Sequence, residues 1–163
     1  MDGFLRIYMN DQLALGILWR EVARRAAGSN QGTDVGDALA RVSAAIAEDV
    51  DTFAAIMRRL GIRRNPLKTS AVIAGERVGR LKLNGRIGSY SPLSRFVELD
   101  FLVMGIEGKR VLWANLRDLA GLGTRLPDVD FAALIERAER QRAELEPFHA
   151  RAGAEALAAG PRA

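Results

Sequence analysis

Residues 92–119 read PLSRFVELDFLVMGIEGKRVLWANLRDL, and between Phe96 and Ile106 nearly every turn of a helix drawn through them is apolar on all sides. A helix apolar all round is covered by neighbours on several faces. This segment is therefore the predicted helix against which the others pack. Ser91-Pro92 supplies a cap followed by a proline at the first helical position, and Gly121-Leu122-Gly123 closes the segment.

Working outward, the remaining chain is punctuated in the same way. A first helix is predicted over residues 3–27, with a stripe of Phe4, Tyr8, Leu15, Leu18 and Val22 on which Asp11 also falls. The run Gly28-Ser29-Asn30-Gln31-Gly32 turns the chain. A second helix is predicted over 34–60, capped by Thr33, striped by Val35, Leu39, Val42, Ile46, Phe53, Ile56 and Leu60, and stopped by Gly61. Asp49 lies on that stripe. Asn65-Pro66 opens a short helix over 66–81, and 81–90 reads as an irregular loop around Asn84-Gly85. A last helix starts at Asp128 and shows Phe131, Leu134, Ala138, Gln141, Leu145 and Phe148 on one face. Pro147 removes a donor and crowds the preceding turn, so this helix is expected to kink or end near residue 143. The tail 159–163 is expected to fray.

The chain of 163 residues is 48% apolar, enough for one domain spanning 1–163 with a sizeable core. It has no cysteine, which excludes disulfides, thiolate metal sites and thiol catalysis and fits a cytoplasmic protein. The start MDGFLRIYMNDQ lacks a basic region followed by an apolar run, so no signal peptide is predicted. No apolar run approaches the ~18 residues of a membrane span.

Four helices of ~25 residues reach ~38 Å each. Short turns make two antiparallel hairpins, and residues 62–91 are long enough to travel the length between them. The expected architecture is all-α: an antiparallel four-helix bundle with a short extra helix in a long crossover. With YMNDQLAL at 8–15, AEDV at 47–50 and LKLNGR at 81–86, the chain resembles bacterial proteins of the ferritin-like superfamily. The resemblance implies that fold and carries over no activity. Di-iron members use a Glu from each of two helices and Glu-x-x-His from the other two. Here Glu48 and Asp51 lack the imidazole, and Glu146 and His149 enclose Pro147. The di-iron pattern is half absent. Glu48, Asp51, Glu107, Glu146 and His149 define the metal-binding alternative; otherwise no metal or cofactor is expected.

Two other constellations stand out. Asp11 and Asp49 each lie 19 residues from Asn30, so an antiparallel hairpin puts them at one height. Counting from Arg125 in the second hairpin puts Glu107 level with Gln141 and Arg142, about two turns from the first polar level. Asp11, Asp49, Asp100, Glu107 and Gln141 are the candidates for a buried polar network or ligand pocket. An acid without a partner inside a protein costs several kcal/mol, so each needs a hydroxyl, indole or Arg across the core. Gly105 and Gly108 mark either close helix approach or room for a ligand.

The second constellation is electrostatic. Residues 58–95 hold ten Lys/Arg against Glu76 alone, a charge of +9, while the remainder carries −5. Arg63, Arg64, Lys68, Arg80, Lys82 and Arg86 have no evident local partner and are the anion-binding candidates, for weak, salt-sensitive contact with a polyanion. The primary expectation is a non-enzymatic structural or binding protein, with homo-oligomerisation left open.

Overall fold

The computed structural model describes residues 3–65 and 91–158. It contains α1 (Gly3–Ser29), α2 (Asp34–Arg59), α3 (Pro92–Asp118), the single-turn α4 (Leu122–Arg125) and α5 (Phe131–Ala158). Among the described residues there is no strand, and no helix is long and apolar enough to cross a membrane. The helix and loop expected over 66–90, and the tail, lie outside the described residues.

The helix ends follow from their capping residues. Thr33 is extended, at φ −121° and ψ 160°, and its hydroxyl accepts the Gly36 N–H at 3.1 Å. Asp34 and Asp37 occupy the first turn of α2 and Arg58 and Arg59 the last, the signs the helix dipole favours. Gly61, at φ +69°, takes the left-handed position beyond that end. There Gly61 N–H bonds Arg58 O at 3.0 Å and Ile62 N–H bonds Met57 O at 2.9 Å, a Schellman closure. Ser91 accepts the Ser94 N–H at 3.1 Å and Pro92 leads α3. Asp130 accepts the Ala133 N–H at 2.9 Å and so opens α5 at Phe131, three residues later than predicted. Asp128 is instead committed to Arg59, at 2.7 and 2.8 Å.

Helix α1 packs along α2 and α3 packs along α5, while α1–α3 and α2–α5 contacts close the set. Side-chain bonds give the directions. Asn10, early in α1, reaches Arg63 O at 3.2 Å and Asn65 N at 2.7 Å, beyond the end of α2. Arg151, late in α5, pairs with Asp34 at the start of α2, and His149 pairs with Asp100 near the start of α3. Trp19, in the second half of α1, bonds Phe101 in the first half of α3. All adjacent helices are therefore antiparallel. One core cluster gathers Phe53, Met57, Trp113, Leu116 and Phe131; the other gathers Val22, Leu39, Val42, Leu102, Ile106 and Leu145.

Several expectations need correction. Helix α3 is not covered on every side: Val97, Met104 and Val111 are exposed. The stripe expected on α1 is displaced. Phe4 is 81% exposed, and the buried face is Met9, Leu13, Ala14, Leu18, Val22, Ala23 and Ala26. Alanines contribute little to a hydrophobic pattern yet let α1 lie close to α2. Pro147 does not end α5, which continues to Ala158. Pro147 and Ala143 are both exposed, so water can serve the freed carbonyl, while Leu145, Ala152 and Gly153 are buried on either side.

At Gly105 the Trp19 side chain of α1 meets the backbone of α3. The Trp19 indole lies over it, donating to Phe101 O at 3.0 Å and stacking on the Phe101 ring at 5.2 Å. A Cβ at Gly105 would meet Trp19 Nε1 at 1.7 Å, whereas a Cβ at Gly108 would meet nothing within 4 Å. The two glycines should therefore respond oppositely to alanine. Gly105→Ala should lower stability by about 1–3 kcal/mol through overpacking. Gly108→Ala should leave it unchanged or raise it by up to ~1 kcal/mol through helix propensity. Urea denaturation of both variants checks this; equal midpoints would remove the Trp19 seat as the reason for Gly105.

Candidate functional site

On α2, α3 and α5 a polar residue stands in line with the apolar stripe. Asp49 follows Val42 and Ile46 on α2, Lys109 sits between Ile106 and Trp113 on α3, and Gln141 sits between Ala138 and Leu145 on α5. Packing these stripes together forces the polar groups into contact. The Asp49 side chain is 3% exposed. Its Oδ2 accepts Lys109 Nζ at 2.5 Å and Gln141 Nε2 at 3.0 Å, and its Oδ1 accepts Arg137 Nη2. Lys109 also donates to Gln141 Oε1, and Arg137 reaches Glu48 at 3.3 Å. Burial holds the Lys109 ammonium below its ordinary value; Asp49 opposes this and Arg137 adds to it.

The expected residues sort clearly against this geometry. Asp49 and Gln141 meet, so the two polar levels predicted to lie about two turns apart coincide. Asp11 is exposed on α1 and is not part of the cluster, a direct result of the displaced α1 stripe. Asp100 is not buried either; its side chain is 46% exposed and bonds His149 at 3.0 Å. Glu107 meets Arg142 as the counting predicted, at 3.4 Å, and Arg110 at 2.7 Å. The Arg110 hydrogen bond, ahead of Arg142, holds Glu107 below the usual carboxylate range.

The residues of the metal alternative do not converge. Glu48 turns to Arg137, Glu146 to Arg142, Glu107 to its two arginines and His149 to Asp100, while Asp51 is exposed. Among the described residues no group of three or more His, Asp or Glu could hold a metal ion. Of the anion-binding candidates, Arg63 and Arg64 are exposed, and Lys68, Arg80, Lys82 and Arg86 lie outside the described residues.

The polar cluster forms part of a larger feature. An open cleft of about 420 Å³ lies between α1 and α3. Trp19, Met104 and Gly105 line it towards one end, and Tyr8, Phe53, Leu112 and Trp113 towards the other. Asp49, Val50 and Ile46 of α2 contribute to its floor, together with Lys109, and Gly16 and Gly108 widen its walls. Trp113 is 1% exposed, and its indole N–H is buried without a hydrogen-bond partner.

Sequence reasoning did not single out Lys109, Arg137 or the cleft. Lys109 was legible: Leu99, Leu102, Ile106, Lys109, Trp113 and Leu116 recur at three- and four-residue steps. Arg137 flanks its stripe and carries no comparable signal. No family model, curated protein or solved structure matches the chain.

Asp49→Leu should strand Lys109 as a buried, unpaired cation and cost about 3–5 kcal/mol. Asp49→Asn, which keeps an acceptor for Lys109 and Gln141, should cost less. Chemical denaturation ranks the two; a Leu variant as stable as wild type would show that the cluster does not need its acid.

The depressed Lys109 value also has a pH signature. The unfolded chain keeps the lysine proton up to the ordinary 10.5, while the folded protein releases it earlier. Between those points unfolding takes up a proton, so this group's contribution to stability rises with pH. The stability of wild type relative to Lys109→Met should therefore increase as pH approaches 10.5. A constant difference from neutral pH upward would contradict a depressed lysine.

Proposed function

We propose that this chain is a non-enzymatic, cytoplasmic binding protein of ferritin-like arrangement, and that the cleft between α1 and α3 receives a small, largely apolar molecule. The cleft carries the reading. Its volume of about 420 Å³ falls in the range of small-molecule sites, roughly 300–1,000 Å³. Its lining also has the usual character: aromatic and aliphatic walls with a few polar groups at the floor.

The ferritin-like reading is supported by α2 and α3 running the same way, each antiparallel to both α1 and α5. That is the order expected when two hairpins are joined by one long connection. The non-enzymatic reading is supported by the pairing of the charged groups lining the cleft: Asp49 with Lys109 and Arg137, and Glu107 with Arg110 and Arg142. The chain's one imidazole, His149, is engaged by Asp100 and stacked on Phe96 at 5.3 Å, away from the cleft lining. The metal alternative has less support, since its residues are dispersed.

A neutral fluorescent probe tests the site. N-phenylnaphthylamine should bind saturably with one site per chain and a blue-shifted emission. Gly108→Phe places a ring at an unobstructed helix position on the cleft wall and should weaken binding at least ~tenfold, about 1.4 kcal/mol. The urea midpoint of that variant should not fall. Probe binding unchanged by Gly108→Phe would rule out this cleft as the site.

A further inference from the structure

The polar floor of the cleft narrows the chemistry of its ligand. Lys109 and Trp113 are four residues apart on α3 and both line the cleft, so they are neighbours on one helix face, ~5–6 Å apart at Cβ. Each offers a donor that the protein does not use. An ammonium has three N–H bonds; Asp49 and Gln141 take two of those on Lys109. The Trp113 indole N–H is buried and unpartnered. A buried donor left unmet is unfavourable, and this one, a turn away from the third N–H of Lys109, invites one acceptor group with two oxygens.

The charge balance points the same way. Asp49 faces two cations, Lys109 and Arg137, and Gln141 is neutral. The other acid on Arg137, Glu48, is 70% exposed and therefore screened by water. Glu107, on the cleft wall, is matched by Arg110 and Arg142. Both acids of the cleft lining, Asp49 and Glu107, are thus already held by two cations each. We propose that the cleft's ligand is a monocarboxylate with an apolar body, its head seated on Lys109 Nζ and Trp113 Nε1. This rests on the cleft being a ligand site. The body is an alkyl chain or an aromatic frame, both of which the walls of Met104, Phe53, Trp19 and Tyr8 accommodate.

Calorimetric titration of the full chain at neutral pH tests the head and the body separately. One series compares dodecanoate with dodecanol and dodecanamide below their aggregation limits; the other compares naphthoate with naphthamide. In at least one series the acid should bind ~tenfold or more tightly than its neutral counterparts, about 1.4 kcal/mol. The series with the tighter acid identifies the body. Trp113→Phe should weaken the acid and leave the amide unchanged. Lys109→Met should erase the preference for the acid; should that variant not fold, Trp113→Phe and the wild-type comparison decide. Equal affinities of acid and amide, with both still displacing N-phenylnaphthylamine, would overturn the carboxylate assignment and leave the cleft standing. Acid binding untouched by Trp113→Phe and Lys109→Met would overturn it as well. Failure of the acids, their neutral counterparts and N-phenylnaphthylamine alike to bind would sink the cleft itself.

Discussion

A single carboxylate sets the alignment of three helices. Asp49 on α2 accepts from Lys109 on α3 and from Arg137 and Gln141 on α5, almost wholly out of water. Such a cluster is weak evidence for stability, since well-packed apolar residues often do as well. Its effect is on register. Sliding any of the three helices by one turn would separate an acid from its cations in the interior, whereas an apolar stripe slides with little penalty. On α2 the cluster falls between Ile46 of one core cluster and Val50 of the other, and on α3 between Ile106 and Leu112. The polar contact therefore lies at a seam, with apolar packing continuing on both sides.

Helix α1 supplies no bond to this cluster and is held by other means. Its small residues Ala14, Ala23 and Ala26 are buried, and Asn10 is tied to the backbone beyond α2. Its approach to α3 is limited by Trp19, whose ring occupies the notch at Gly105 and props the helices apart. The cleft lies where this fourth helix, packed along α2, meets α3 through Trp19 and outside the cluster that links the other three.

Much of the chain's punctuation was legible because capping depends on a few residues acting locally. Thr33, Ser91 and Gly61 perform the roles their types predict, and counting from the second turn placed Glu107 beside Arg142. The errors came from features without a local signal. The face α1 buries is decided by how near α2 can come, which favours alanines over the more conspicuous Phe4 and Tyr8, and Asp11 went with that mistake. Pro147 is tolerated because packing on both sides holds α5 together and Ala143, whose carbonyl it frees, is exposed. Lys109 was overlooked because a long basic side chain is normally solvated. Only its place on the stripe, together with an acid and an amide at matching positions on other helices, marks it as internal.

The cleft has a property that follows from its walls alone. The chain has two tryptophans, Trp19 and Trp113, and both line this one space. One is hydrogen-bonded and stacked; the other is buried with its N–H unpartnered. Indole emission responds to polarity and hydrogen bonding, so these two reporters start from different states at opposite ends of the same chamber. The protein's native ultraviolet fluorescence is thus a gauge built into the cavity, reading whatever enters it without any label attached.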